Sequence, residues 1–331
     1  MKQGRDTQTT LVIKFGALGD LIVAIPAIRQ VLRSHGDQGR VWLLTSSPYA
    51  ELFQGWDGLR VQAFPRKGAA AAWRTLCWIR AGKFTRIYDL QSSERSAVYC
   101  ALSGCGTCIG NHPHFPYRHH PPDRYHGQCH VRDRLNQVLA SADLPAAMDP
   151  PSIPVTASSG QRVQQWLRDT GLVPGRFVML HAGANRRHPH KQWPHYLELA
   201  RAIQGRGLEI VWSGGPDDIE LNASLSAMLG HDIAGKFAIP EEVELARHAR
   251  FAVANDSAPM HILSCAGIPV FGIFGPTDWR RMHAIGQEQH VISLDMAAGS
   301  RDNGFTPHDI NEIPLSMVLD RLQQDGVLDD R

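Results

Sequence analysis

Short apolar runs alternate with stretches of helical spacing along this chain, and the alternation starts twice. In the first half, residues 11–15, 41–44 and 86–90 predict buried strands. Residues 21–32, Ala69–Ala81 and 93–102 predict helices, the first from Leu21, Ile22, Ile25, Ile28 and Leu32 at near-helical positions. Pro26 predicts a kink in that helix. Residues 145–160 are rich in Pro, Ser and Ala without a helical pattern, and they predict a linker. Beyond it, strands are expected at 177–180, 209–212, 251–254 and 270–274, and helices at 194–204, 217–229, 241–249 and 258–266. Strand alternating with helix predicts an α/β fold of doubly wound parallel sheets, in two domains, 1–155 and 156–331. Ligands of such sheets sit at the carboxyl ends of strands, so both halves can face a cleft between them.

The chain has 331 residues, 43% apolar and 20% charged, enough for an ordinary core in each half. That excludes a disordered, collagen-like or disulfide-stapled chain. No apolar run approaches the roughly 18 residues of a membrane-spanning helix, and residues 1–10 are polar. Six cysteines are sparse, which suits a reducing compartment and predicts a soluble, cytoplasmic protein. The net charge of +2 hides an asymmetry: residues 1–150 carry 18 basic and 11 acidic side chains, residues 151–331 carry 16 and 21. The basic half is therefore expected to meet something anionic. No basic run with interleaved aromatics is present, so nucleic acid is not expected. An anionic lipid headgroup or phosphorylated glycan fits the moderate charge better.

Four strand-end turns carry the candidate chemistry. Gly16-Ala-Leu-Gly19-Asp20 joins the first strand to the first helix, and its glycines let the backbone approach a ligand closely, which makes Gly19 a binding candidate. It is neither a dinucleotide fingerprint nor a P-loop. Asp20 is either a helix-capping carboxylate or a general base. After the strand at 177–180 comes His181-Ala182-Gly183-Ala184 and then Lys191-Gln-Trp-Pro194. Small residues expose backbone N–H groups, and Lys191 is either a diphosphate ligand or a solvated loop lysine. Asp217 and Asp218 follow the next strand, where a carboxylate binds a ribose hydroxyl or sits in a first helical turn. Asn255-Asp-Ser-Ala-Pro-Met-His261 then leads a strand into a helix whose uncapped N–H groups form an anion site.

Taken together, these motifs, with Pro26-Ala27, Gly214-Gly-Pro216 and Phe274-Gly-Pro-Thr277, resemble glycosyltransferase family 9, the ADP-heptose:lipopolysaccharide heptosyltransferases. The resemblance runs in order from residue 11 to 278. It implies a GT-B fold of two facing Rossmann-like domains, acceptor on the first and ADP-heptose donor on the second. It implies Asp20 as general base, Lys191 on the diphosphate, Asp218 on the ribose, and Asp256, Ser257 and Ala258 as the phosphate-holding turn. His261 matches a signature histidine. Ala258 departs from the glycine of many members, which matters only if the position needs a positive φ. The implied reaction is a single inverting displacement without a cofactor or metal, and no Asp-x-Asp stands near the donor residues.

Six of the 17 histidines lie in residues 112–130, beside Cys105-Gly-Thr-Cys108, with Cys100 and Cys129 near. Zinc, an anionic acceptor and a loop without a role all fit that composition. Arg118, Arg124, Arg132 and Arg134 in or beside it are the acceptor-binding candidates, and with Arg66 and Lys67 they predict peripheral contact with the anionic inner-membrane surface. The acceptor implied is the lipid A–core oligosaccharide. A transferase of another sugar nucleotide and an inactive nucleotide- or glycan-binding module are the alternatives. A nicotinamide oxidoreductase lacks its glycines.

Overall fold

In the computed structural model, which describes residues 8–36, 39–127, 129–297 and 305–329, the alternation becomes two parallel sheets. The chain divides into two compact units, Met1–Pro154 and Val155–Arg331. The first runs β1 (Gln8–Ile13), α1 (Leu18–His35), β2 (Gly39–Ser46), β3 (Leu59–Phe64), α2 (Ala69–Ala81), β4 (Arg86–Asp89), α3 (Glu94–Leu102), β5 (Cys108–Ile109) and α4 (Val131–Ala140). Its sheet order is β3-β2-β1-β4-β5, with Ile13 level with Leu44 on one side and Asp89 on the other. Leu11, Ile13, Leu44 and Ile87 pack against Ile79 of α2 and Tyr99 and Cys100 of α3. Helices α1 and α4 pack on each other. The strand β3 escapes the sequence reading because its side chains are mostly half-buried and show no apolar run.

Helix α1 begins three residues before its apolar spacing does, and it continues through the buried Pro26 to His35. Proline leaves the Ile22 carbonyl without its helical donor, yet Ile22, Ile25 and Ile28 are fully buried on either side of it. Burial of such side chains, at about 1.5–3 kcal/mol each, outweighs the missing bond.

The second unit runs α5 (Ala157–Thr170), β6 (Phe177–His181), α6 (Tyr196–Gln204), β7 (Glu209–Trp212), α7 (Ile219–Ser226), β8 (His231–Asp232), α8 (Ile239–Ala246), β9 (Ala252–Asn255), α9 (Ala258–Ser264), β10 (Val270–Ile273), α10 (Trp279–Met282), β11 (Val291–Ile292), α11 (Leu294–Ala297) and α12 (Leu315–Gln324). The sheet order is β11-β10-β9-β6-β7-β8. Alternate residues feed opposite faces: Val178, Leu180, Ile210, Trp212 and Val253 join one core, and Phe177, Met179, Val211, Ala252 and Ala254 the other. A parallel sheet covered on both faces needs such continuous apolar runs.

Residues 145–160 act as a connection only in part. Helix α5 opens inside that stretch, capped by Thr156, whose Oγ1 accepts from Ser159 N at 3.2 Å. Only Val163 and Leu167 of its 14 residues are buried, too few for an apolar pattern to show.

In both sheets the chain reverses its direction of travel across one strand pair. These switch points lie between β1 and β4 and between β6 and β9. The turns that leave β1, β6 and β9 at their carboxyl ends are where open α/β sheets place ligands, and they are three of the four candidate turns; the fourth, with Asp217 and Asp218, follows β7.

Candidate functional site

In the first unit, the turn after β1 is held from the side by one amide. Gln91 Oε1 accepts from Phe15 N at 2.8 Å and Gly16 N at 3.2 Å, and Gln91 Nε2 donates to Gly16 O at 3.0 Å. Asp89 Oδ1 in turn accepts from Gln91 N at 3.0 Å and Ser92 N at 3.1 Å. Gly16 adopts φ +110°, and a Cβ there would lie 2.6 Å from the Tyr49 ring, so the turn admits only glycine.

The result is a fixed entry into α1. Its N-cap position is Ala17, so Asp20 stands in the first turn rather than at the cap, where the helix dipole favours a carboxylate. Asp20 is half-buried and makes no hydrogen bond or ion pair with the described residues. That removes the capping role and leaves a carboxylate available to a substrate. Gly19 is buried beside it.

Lys14 is buried and donates to Leu90 O at 3.1 Å. Burial lowers the pKa of its ammonium, against the pull of the Asp20 and Asp89 carboxylates. Burial pushes the Asp89 carboxyl up, opposed by hydrogen bonds from Tyr117, Ser96, Ser92 and Gln91.

Gln91 is a residue that the sequence reading missed. Its Gln91→Leu variant is expected to loosen the 15–16 turn and with it the helix start that carries Asp20. Amide hydrogen exchange at residues 15–20, faster in the variant than in the unaltered chain, checks this. Unchanged exchange there would mean that the amide does not hold the turn.

In the second unit, Asn255 at the end of β9 joins the other turns. It is fully buried. Its Nδ2 donates to Gly183 O at 2.9 Å and Ala182 O at 3.2 Å, and its Oδ1 accepts from Trp193 N at 3.2 Å. The 182–183 turn, the Lys191–Trp193 segment and the start of α9 are thereby one body. Beside them Lys191 Nζ lies 2.6 Å from Asp256 Oδ2, with Lys191 partly exposed and Asp256 buried. The N–H groups of Ser257 and Ala258 find no acceptor among the described residues. Ser257 occupies the N-cap position without capping, its hydroxyl donating to Asn255 O instead. Ala258 opens α9 and is not among the residues of positive φ, so alanine serves where many members have glycine.

Asp218 is more enclosed than a ribose ligand needs to be. Its Oδ2 accepts from Gly215 N at 2.9 Å and lies 3.4 Å from His181 Nε2. A Cβ on Gly183 would fall 2.0 Å from Asp218 Oδ1, so glycine there is what lets the carboxylate close on the turn. Burial raises the Asp218 pKa, but His181 and the Gly215 N–H outweigh it and hold the carboxyl below its ordinary range. Close by, Glu242 accepts from Ser213 Oγ at 2.8 Å, and burial pushes its carboxyl up. His261 is buried inside α9.

The acceptor candidates need one correction. Arg134 is 2% exposed and faces inward from α4. Its guanidinium reaches Asp123 Oδ1 and Gln137 Oε1 at 2.8 and 2.7 Å, Asp123 O at 2.6 Å, and Asn111. Its donors are taken up by Asn111, Asp123 and Gln137, so it braces the 111–123 segment against α4 and presents no charge to a ligand. Arg118 and Arg124 are exposed, and Arg132 is half-buried with its guanidinium 3.0 Å from Asp133. In the cysteine-rich part, the Cys108 thiol is pushed up to about 12, chiefly by its hydrogen bond with Cys100. Among the described residues no three His, Cys, Asp or Glu side chains converge as a metal site requires.

Comparison with known proteins bears on the whole arrangement. Residues 72–303 match the family model described as glycosyltransferase family 9 (heptosyltransferase). The lipooligosaccharide heptosyltransferase 2 of Haemophilus influenzae is 23% identical over 202 residues, which are 56% of this chain and 58% of that protein. The chain thus matches less than two thirds of that relative's length. Among solved structures, the family 9 glycosyl transferase of Veillonella parvula superposes with a TM-score of 0.81 at 16% identity over 98% of each chain. The E. coli ADP-heptose lps heptosyltransferase II superposes with a TM-score of 0.74 at 18% identity, over 97% of this chain and 98% of that one. These likenesses establish the fold class, GT-B with two Rossmann-like units.

Proposed function

Because the chain belongs to glycosyltransferase family 9, we propose that it transfers a heptose from ADP-heptose to the inner core of lipopolysaccharide. In this reading the second unit takes the donor. The free N–H groups of Ser257 and Ala258, with the small-residue turn Ala182–Gly183, face the diphosphate, Lys191 neutralises it, and Asp218 lies toward the ribose. The first unit takes the lipid A–core oligosaccharide, with Arg118, Arg124 and Arg132 toward its phosphate and carboxylate groups. Asp20 accepts the proton of an acceptor hydroxyl as that oxygen attacks the anomeric carbon. The carbon–oxygen bond to ADP breaks on the opposite face, which inverts the configuration. Charge developing on ADP is met by N–H dipoles and an ammonium already in place.

The observation that carries the reading is that each unit has its own chemistry at its switch point: after β1 a carboxylate without a hydrogen bond or ion pair among the described residues, and at β6 and β9 an ammonium beside N–H groups without an acceptor among them. The E. coli protein of similar fold is an ADP-heptose lps heptosyltransferase, which favours the same donor here. The reaction is placed at the inner face of the cytoplasmic membrane. Six free cysteines support that side, and no helix of the described residues is long and apolar enough to cross a membrane.

A panel of ADP-heptose, ADP-glucose, UDP-glucose and UDP-N-acetylglucosamine, offered with heptose-free core acceptors, tests the donor. Transfer from ADP-heptose with inversion, undiminished by EDTA, is the expected result. Faster transfer from another sugar nucleotide would replace the donor and keep the mechanism. Tight ADP binding without turnover on any acceptor would favour a binding module.

A further inference from the structure

Helices α2 and α3 lie side by side on one face of the first sheet and run in the same direction. Arg95 at the start of α3 bonds the Arg66 carbonyl just ahead of α2, and Arg80 near the end of α2 donates to Leu102 O at 3.0 Å at the end of α3. Their inner sides enter the core through Ala72, Leu76, Ile79, Tyr99 and Cys100. Their outer sides carry what a water-facing surface normally avoids. Trp73 is 67% exposed, Val98 53% and Leu102 48%. Trp73 shares its stripe with exposed Ala70, Arg74, Cys77 and Arg80, and Val98 and Leu102 stand one turn apart on α3.

The charge around these side chains is mostly basic. Arg66, Lys67, Arg74, Arg80, Lys83 and Arg95 are exposed between residues 66 and 102, against the exposed carboxylate of Glu94; Asp89 is buried. We propose that this α2–α3 face docks the protein on an anionic lipid bilayer, with Trp73, Val98 and Leu102 entering the interface and the basic ring lying over the headgroups. The inference deepens the proposed function, since it rests on a lipid-borne acceptor.

The chemistry favours a bilayer over other anionic partners. The apolar groups stand on the exposed sides of two adjacent helices, and a fluid surface adapts to such a spread of side chains without a shaped pocket. A tryptophan with aliphatic neighbours and flanking basic side chains is the composition of an interfacial element. A single-stranded nucleic acid would need successive aromatic platforms, and this face offers one.

Co-sedimentation with vesicles of phosphatidylglycerol and phosphatidylethanolamine, and with vesicles of phosphatidylcholine alone, tests the proposal. The unaltered chain is expected to bind the anionic vesicles, with affinity falling as salt rises, and to ignore the neutral ones. Lys67→Gln with Arg74→Gln weakens binding about 25-fold, at about fivefold per basic group. Trp73→Ser with Leu102→Ser weakens it about tenfold. Arg206→Gln with Arg247→Gln, in the other unit, changes nothing. Transfer to a water-soluble, delipidated acceptor stays as it was in both surface variants, which keeps this test apart from the sugar chemistry. Lost vesicle binding in the variants, with no soluble transfer even by the unaltered chain, would uphold the face and refute the transferase reading. Surface variants that bind anionic vesicles as tightly as the unaltered chain would overturn the proposal. So would an RNA oligomer that displaces the vesicles and shows the same sensitivity to both variants.

Discussion

Asp20→Asn is expected to lower kcat for heptosyl transfer about a thousandfold, within the range general-base groups contribute, while ADP affinity and thermal stability stay unchanged. The substitution keeps the size and first-turn position of the side chain and removes only its ability to take a proton. That carboxylate holds no hydrogen bond or ion pair among the described residues and does not cap the helix; its attraction for the buried Lys14 ammonium is shared with Asp89. The proposed donor groups lie in the other unit. Single-turnover rates, ADP titration and a melting curve measured together separate the outcomes. Transfer retained within about tenfold would remove Asp20 from the base role. Equal losses of transfer and ADP affinity would mean that the residue binds donor instead.

Lys191→Met should cost about 10² to 10³ in kcat, the scale for removing one preorganised donor to a developing anion. The structure adds a second consequence. The carboxylate 2.6 Å from this ammonium belongs to Asp256, which is 8% exposed. Without its partner that charge stands uncompensated beside the place assigned to a diphosphate, so the loss includes repulsion as well as lost attraction. Asp256→Asn alone is expected to cost less, because the ammonium remains and only its tether is gone. The double variant should then recover about tenfold over Lys191→Met. A double variant whose loss is the sum of the two single losses would show that the pair is not coupled in the transition state. In that event Asp256 would have a role of its own at the donor.

The fold class was legible because buried parallel strands require unbroken apolar runs. The runs that became β1, β2, β4, β6, β7, β9 and β10 supply them. Segments that bury little left no such mark. The half-buried β3 and the mostly polar α5 were invisible for that reason, and β5, β8 and β11 because two residues are too few to show a run. The turns were legible too, since glycine and proline stand where the backbone must leave a strand sharply.

The sequence by itself thus determined two α/β units and the strand-end turns at which we propose that the chemistry collects. Its family motifs named Asp20, Lys191 and Asp256 as candidates. Only the tertiary structure decided what each side chain touches. Gln91 holds a turn 75 residues away in the chain, because β4 lies beside β1 in the sheet. Lys191 meets a carboxylate 65 residues on, because β9 lies beside β6. Arg134 spends its charge inside its own unit, where a count of basic residues had placed it at the surface. Composition fixes how many charges and amides a chain carries, but their partners follow from strand order, which is set by long-range packing and leaves no local signal.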